Sequence, residues 1–266
     1  MLREMTLGQY YKADSILHRL DPRVKLAGTL LFVITLFFPK SFWGLAVSTL
    51  FLGSIIALSR VPFSMVFRGI KPLLIIICFS AVINLFCTPG TILVALGPLH
   101  ITKEGLWFSG YLILRLIYLV MGSSIMTFTT TPNQLTDGME KSLGFLQKLH
   151  IPIHELSMMI SIALRFIPIL TEELDKIMKA QMSRGADLES GNILQRGKKL
   201  LPVLVPLFIS AIRRASDLAL AMDARCYSGG EGRTKLKPLR YERRDYLAYS
   251  ILFIYVAVMI VCGFIL

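Results

Sequence analysis

The chain has 266 residues, 54% hydrophobic and only 17% charged, with a mean hydropathy of +0.62, a balance outside the soluble range that predicts an all-α polytopic membrane protein. A formal net charge of +12 raises the question of nucleic acid, but no basic stripe interleaved with aromatic residues on a soluble domain supports it. The positive-inside bias of membrane proteins accounts for the charge instead.

Residues 1–25 carry five Lys or Arg among acids and tyrosines and lead into an apolar run with no obvious small-residue cleavage site. They read as a cytoplasmic N-terminus rather than a signal peptide. Apolar runs then predict spans at Val24–Phe38, Phe42–Leu58, Ile70–Phe86, Trp107–Phe128 and Leu247–Leu266, the shortest needing its flanks to cross ~30 Å of hydrocarbon. Two further runs, 156–171 with Arg165 and Pro168 inside it and 200–212 with Pro202 and Pro206, are short for a span.

Charge arbitrates between them. With five spans and the N-terminus inside, the cytoplasmic pieces 1–25, 59–71 and 129–246 hold 5, 3 and 18 basic residues, while the outer loops hold only Lys40 and Lys103. Making the two short runs spans would carry Lys176, Lys179, Arg184, Arg196, Lys198 and Lys199 outside. The expected organisation is therefore a four-span region over 1–128, a cytoplasmic or interfacial helical domain over 129–246, and a last span over 247–266.

The inserted domain opens at Thr131-Pro132, a cap followed by a first-turn proline. Leu135, Met139, Leu143, Leu146 and Leu149 follow at threes and fours, predicting an amphipathic helix along the membrane surface that Pro152 stops. A second helix is expected from about His154 to Ser183, kinked near Pro168, apolar first and charged later, with Gly185 as its C-cap and Arg184 in its last turn. After the linker "LESGNILQRGKK" the pattern repeats: "LLPVLVPLFISAI", then "RRASDLALAMDARCYSGG", with Arg225 in the final turn before Gly229 and Gly230. Ala211, Ala215 and Ala219 lie four apart, a small-residue face on which another helix could cross.

Other chemistry is sparse. His150 and His154 have the spacing of a metal pair, but Pro152 breaks the helix that would align them and no third ligand is near. The cysteines Cys78, Cys87, Cys226 and Cys262 stand isolated, forming neither a disulfide framework nor a zinc site. Glu172, Glu173 and Asp175 read as a solvated face, with pairing to an arginine as the alternative. Arg115, inside a span, requires a structural contact, with Asn84 one possible neighbour, and Arg165 is expected to reach the membrane interface.

The segments "LHRLDPRVKL" (17–26), "ALRFIPILTEELDKIMKAQMSRGAD" (163–187) and "PLFISAIRRASDLALAMDARCY" (206–227), with the five-span layout, resemble the transmembrane T component of energy-coupling factor (ECF) transporters. The resemblance implies that two X-Arg-X triplets end crossed coupling helices and dock into two cytoplasmic ATPase subunits. Here these are Ser183-Arg184-Gly185 and Ala224-Arg225-Cys226; glycine more often stands where this chain has Cys226. A guanidinium offers a planar fork of five donors suited to carboxylates and carbonyls in a groove. Each arginine taken singly could instead snorkel or cap its own helix.

The resemblance further implies a noncatalytic subunit of an ATP-driven importer of vitamins or other micronutrients in a bacterial or archaeal membrane. It would join the ATPases, which bind ATP and Mg, to a separate substrate-binding S component. Met158, Met159, Ile162, Phe166, Leu204, Leu207 and Phe208 are candidate contacts for that partner, though bundle packing explains them as well. Twelve methionines would suit an adaptable surface. A membrane-embedded enzyme would need convergent carboxylates or histidines, and no H-E-x-x-H or G-x-x-x-x-G-K-[ST] occurs. A permease with its own substrate path would need more polar residues in the spans.

Overall fold

A computed structural model describes residues 10–39, 41–96, 99–149, 151–187, 190, 192–229 and 238–265. In chain order the helices are α1 (Pro22–Thr35), α2 (Phe42–Ser59), α3 (Phe63–Ile70), α4 (Leu74–Cys87), α5 (Lys103–Thr129), α6 (Pro132–Ser142), α7 (Ile153–Ser183), α8 (Ile193–Asp223) and α9 (Arg243–Ile265). A short antiparallel hairpin, β1 (Ile92–Leu96) and β2 (Leu99–Thr102), joins α4 to α5 and was not expected from the sequence. Its base is fastened where Thr102 Oγ1 donates to Thr88 O at 2.9 Å and Glu104, in the first turn of α5, accepts from Thr91 N at 2.7 Å. The chain divides into two units: the described parts of Met1–Ser142 with Leu239–Leu266, and those of Leu143–Pro238.

The first unit is a helical bundle whose buried centre includes Phe32, Leu52, Val66, Met121, Ile125 and Met259. Asp21 starts α1 by accepting from Arg23 N at 2.9 Å, and Pro22 supplies the preset first turn. Lys25, 8% exposed, donates to Thr129 O at 2.8 Å and to His18 O at 3.2 Å, so the end of α5 is tied to the start of α1. Pro72 falls in a 3₁₀ turn, Lys71–Leu73, where its missing N–H costs nothing, and α3, the turn and α4 form one apolar stretch, Phe63–Cys87, longer than the expected 70–86.

By length and composition, five helices could cross a membrane among the described residues: α2, the α3–α4 stretch, α5, α7, and Arg243–Gly263 of α9. This set differs from the expectation in that α7 enters and α1 does not. At 14 residues α1 is only about 21 Å long. Its flanks complete the distance, however. Asp21 N donates to Asp245 Oδ1 at 2.9 Å at one end, while at the other a Cβ on Gly263 would lie 3.4 Å from Phe38. Asp21 to Phe38 thus lies beside the nineteen residues Asp245–Gly263 of α9, about 27 Å of helix. For α7, Pro168 does not end the helix, so the short apolar run joins the polar half into one 31-residue element.

The structure revises two further expectations. The stripe from Leu135 to Leu149 is not one helix: α6 ends at Ser142 and Gly144–Leu149 is 3₁₀. The face that α6 buries is Thr136 and Gly138, not Met139, because α6 packs on α1 so closely that a Cβ at Gly138 would come within 2.9 Å of Pro22. Its start is as expected, with Thr131 Oγ1 accepting from Gln134 N and Gln134 Oε1 from Thr131 N, a reciprocal capping box. Arg115 is held by Tyr111 OH at 2.9 Å and Pro39 O at 3.4 Å, its guanidinium 4.6 Å over the Tyr111 ring. Asn84 is not its neighbour; that amide donates to Ser80 O of its own helix.

Candidate functional site

The second unit is dominated by α7 and α8, whose contacts fix them as antiparallel. Gln181 Nε2 donates to Pro202 O at 3.2 Å. Further along, Glu173 accepts from Ser210 Oγ at 2.5 Å and from Arg214 Nη2 at 2.8 Å. Beyond that the start of α7 and the end of α8 border a cavity of about 580 Å³. Glu173 therefore pairs with a neighbouring arginine rather than lying on a solvated face; Glu172 is exposed and Asp175 half-buried.

The row of α8 that meets α7 runs Pro202, Ser210, Arg214, Leu218 and Met222, the stride of four that packs ridge into groove. The alanine face is not that surface: Ala211 is half-buried, and Ala215 and Ala219 are exposed. Helix α8 also begins at Ile193, so much of the expected linker is helical. The interhelical clamp escaped sequence reading because its partners lie 37 and 41 residues apart; the Ser210–Arg214–Leu218–Met222 stride was its only signal.

Both helices end in the same way. At α7, Arg184 is the C-cap and Gly185 follows with φ +86°; Gly185 N donates to Met182 O at 3.0 Å and Ala186 N to Gln181 O at 3.0 Å. At α8, Cys226 takes φ +56°, with Cys226 N donating to Asp223 O at 2.9 Å and Tyr227 N to Met222 O at 3.0 Å. Both patterns are Schellman motifs with the arginine immediately before the left-handed residue. Backbone amides satisfy the last carbonyls, so neither guanidinium is needed as a cap. The expected stop at Gly229 and Gly230 moves to Cys226; Gly229 takes φ +95°, and Gly230 lies outside the described residues.

Ser183, Arg184, Gly185, Ala224, Arg225 and Cys226 are all exposed. Because the helices are antiparallel, the tips face opposite ways. Gln181, three residues before Arg184, sits at Pro202; the twenty-four residues from Pro202 to Arg225 span about 35 Å. A non-glycine residue in the left-handed region carries about 1 kcal/mol of strain. Cys226→Gly is therefore expected to tighten the α8 terminus, slowing amide exchange at Tyr227 by about fivefold in the EX2 regime. Unchanged exchange would show that Cys226 is unstrained.

The candidate partner contacts separate into two groups. Met158, Ile162 and Phe166 line the cavity between α7 and α8 with Arg165 and Arg225. Met159, Leu204 and Phe208 are 53%, 50% and 67% exposed, and Leu207 is half-buried. They belong to a wider exposed apolar surface with Leu201, Val205, Ile209 and Ile212. His150 lies outside the described residues, and among the described residues no three His, Cys, Asp or Glu gather as a metal site.

Comparison with known proteins places this arrangement in a family. The family described as cobalt transport protein matches residues 13–236. The chain is 50% identical over 248 residues to the energy-coupling factor transporter transmembrane protein EcfT of Thermosediminibacter oceani, covering 93% of this chain and 94% of that protein. It is 48% identical over 254 residues to EcfT of Clostridium kluyveri, with 93% of each chain covered. With EcfT of Bacillus subtilis it shares 45% identity over 246 residues, covering 92% of this chain and 93% of that one. Match lengths of this order, at such identity, leave one conclusion: the chain belongs to the family of transmembrane T components of ECF transporters.

Proposed function

We propose that this chain is the noncatalytic coupling subunit of an ATP-driven importer of vitamins or other micronutrients, joining two cytoplasmic ATPases to a separate substrate-binding membrane protein. The observation that carries this reading is the pair of matched tips. Each presents an exposed arginine beside a small residue, and they point away from each other about 35 Å apart. Such tips suit two separate grooves rather than one, and each guanidinium can donate a fork of hydrogen bonds to a partner carboxylate.

ATP and Mg would be bound by the ATPases. Movement of the ATPases would pull on the tips, and the Glu173–Arg214–Ser210 clamp, with Glu173 only 24% exposed, would make α7 and α8 move as a lever rather than slide independently. The apolar surface around Met159, Leu204 and Phe208 suits an apolar partner helix or lipid, and its movement would tilt the substrate-binding protein to release cargo. Purification in mild detergent is expected to recover two ATPases and one small membrane protein with this chain. Uptake by the chain alone, reconstituted without partners, would instead establish a permease with its own path.

The topology this requires has both tips in the cytoplasm. Cys226 is a natural reporter, since its thiol is exposed at the second tip. With Cys78, Cys87 and Cys262 replaced by serine, a membrane-impermeant maleimide is expected to modify Cys226 in inside-out vesicles and not in intact cells. Labelling in intact cells would overturn the orientation and, with it, the docking assignment.

A further inference from the structure

A second cavity, about 420 Å³, lies wholly inside the bundle unit, between α1, α2, α5 and α9. Its walls are apolar: Phe32 and Phe51 lie deep in it, and Leu247 and Ile251 stand at its rim, 63% and 51% exposed. Phe51 is itself stacked on Tyr255, with ring centroids 4.0 Å apart. For scale, a dry cavity of about 150 Å³ accommodates a benzene ring. This one has room for a stretch of hydrocarbon chain and is bordered by residues that face the bilayer.

Two cations line the opposite end. Lys25 is buried and uses two of its three ammonium donors, on His18 O and Thr129 O. Arg244 engages Glu242 through Nη2 at 2.7 Å, but its buried Nε has no hydrogen-bond partner among the described residues. The carboxylates nearby are occupied. Asp21 accepts from Arg23, and Asp245 accepts from the backbone N–H groups of Asp21 and Glu242. Lys25 and Arg244 also lie in the first turns of α1 and α9, where the positive ends of two helix dipoles make cations unfavourable and an anion favourable. An apolar slot ending in spare cationic donors is the complement of an amphiphile with an anionic head.

We propose that this cavity binds an anionic phospholipid of the surrounding bilayer, one acyl chain lying between α2 and α9 and the phosphate accepting from Arg244 Nε and the free Lys25 donor. The site is independent of the arginine tips, so its success or failure leaves the docking assignment untouched. The complex purified with its partners, reconstituted in nanodiscs containing phosphatidylglycerol and phosphatidylcholine, is expected to retain one phosphatidylglycerol in native mass spectrometry.

Lys25 also joins α1 to α5, so the variants spare it. Arg244→Gln is expected to weaken retention by about tenfold, the worth of one hydrogen bond to a charged group. Gly28→Leu fills the slot without altering charge: Gly28 lines the cavity and a Cβ there meets no atom within 4 Å. It is expected to remove the lipid while the complex stays assembled. Equal retention of the two phospholipids by the wild-type chain, or undiminished phosphatidylglycerol in Gly28→Leu, would overturn the proposal.

Discussion

Replacing Arg184 and Arg225 together by glutamate is expected to strip both ATPases from the purified complex while the chain still inserts and folds. Loss of an arginine anchor at the centre of an interface costs about 2 kcal/mol or more, roughly thirtyfold in affinity, and a reversed charge adds repulsion from any carboxylate that had paired with it. Folding should be spared, because both side chains are exposed and the caps are made by backbone amides of Gly185, Ala186, Cys226 and Tyr227. The single variants carry the geometric part of the claim. With the tips about 35 Å apart, Arg184→Glu should release one ATPase site and leave the other, and Arg225→Glu the reverse. Arginine-to-lysine changes keep the charge but lose the planar fork, so they should weaken docking without abolishing it. Quantitative recovery of both ATPases with the double variant would sink the assignment. A single variant as severe as the double would show that the tips do not act on separate sites.

How much of this was legible depends on the range of the interaction concerned. Features decided within a few residues could be read: the Thr131-Pro132 start, the glycine end of α7, and the arginine just before it. The end of α8 was misjudged for the same local reason, since glycine is only the easiest left-handed residue and Cys226 takes that conformation as well. Surfaces were harder. Ala211, Ala215 and Ala219 have the spacing of a crossing face, yet α7 meets the neighbouring row through Ser210 and Arg214, because one half-buried carboxylate, Glu173, selects it. The predicted α6 stripe failed in the same way: Gly138 offers closer approach to Pro22 than Met139 could, and closeness outweighed hydrophobicity. Span counting was split by an ambiguity of length, as a 14-residue helix can cross with its flanks while a 31-residue helix can be apolar for only half its course.

The longest-range feature yields the largest stability effect. Asp245, 2% exposed, accepts Asp21 N–H through Oδ1 at 2.9 Å and Glu242 N–H through Oδ2 at 2.8 Å, joining segments 224 residues apart. Hydrogen bonds to a charged acceptor are worth about 1.5–3 kcal/mol each, and truncation would strand two backbone donors near the bundle's end. Asp245→Ala should therefore destabilise the chain by about 3 kcal/mol, which for a protein of this size lowers the melting temperature by roughly 6–12 °C. Asp245→Asn, with one carbonyl oxygen left to accept, should fall between the two. Asp14 supplies the contrast. The Arg19 hydrogen bond holds its carboxyl below the ordinary aspartate value, but both partners are exposed, at 59% and 72%, and solvent screens them. Asp14→Ala should leave the melting temperature where it was. If Asp245→Ala behaved like Asp14→Ala, the junction of α1 with α9 would have to rest on apolar packing around Met259 and Tyr255 rather than on this carboxylate.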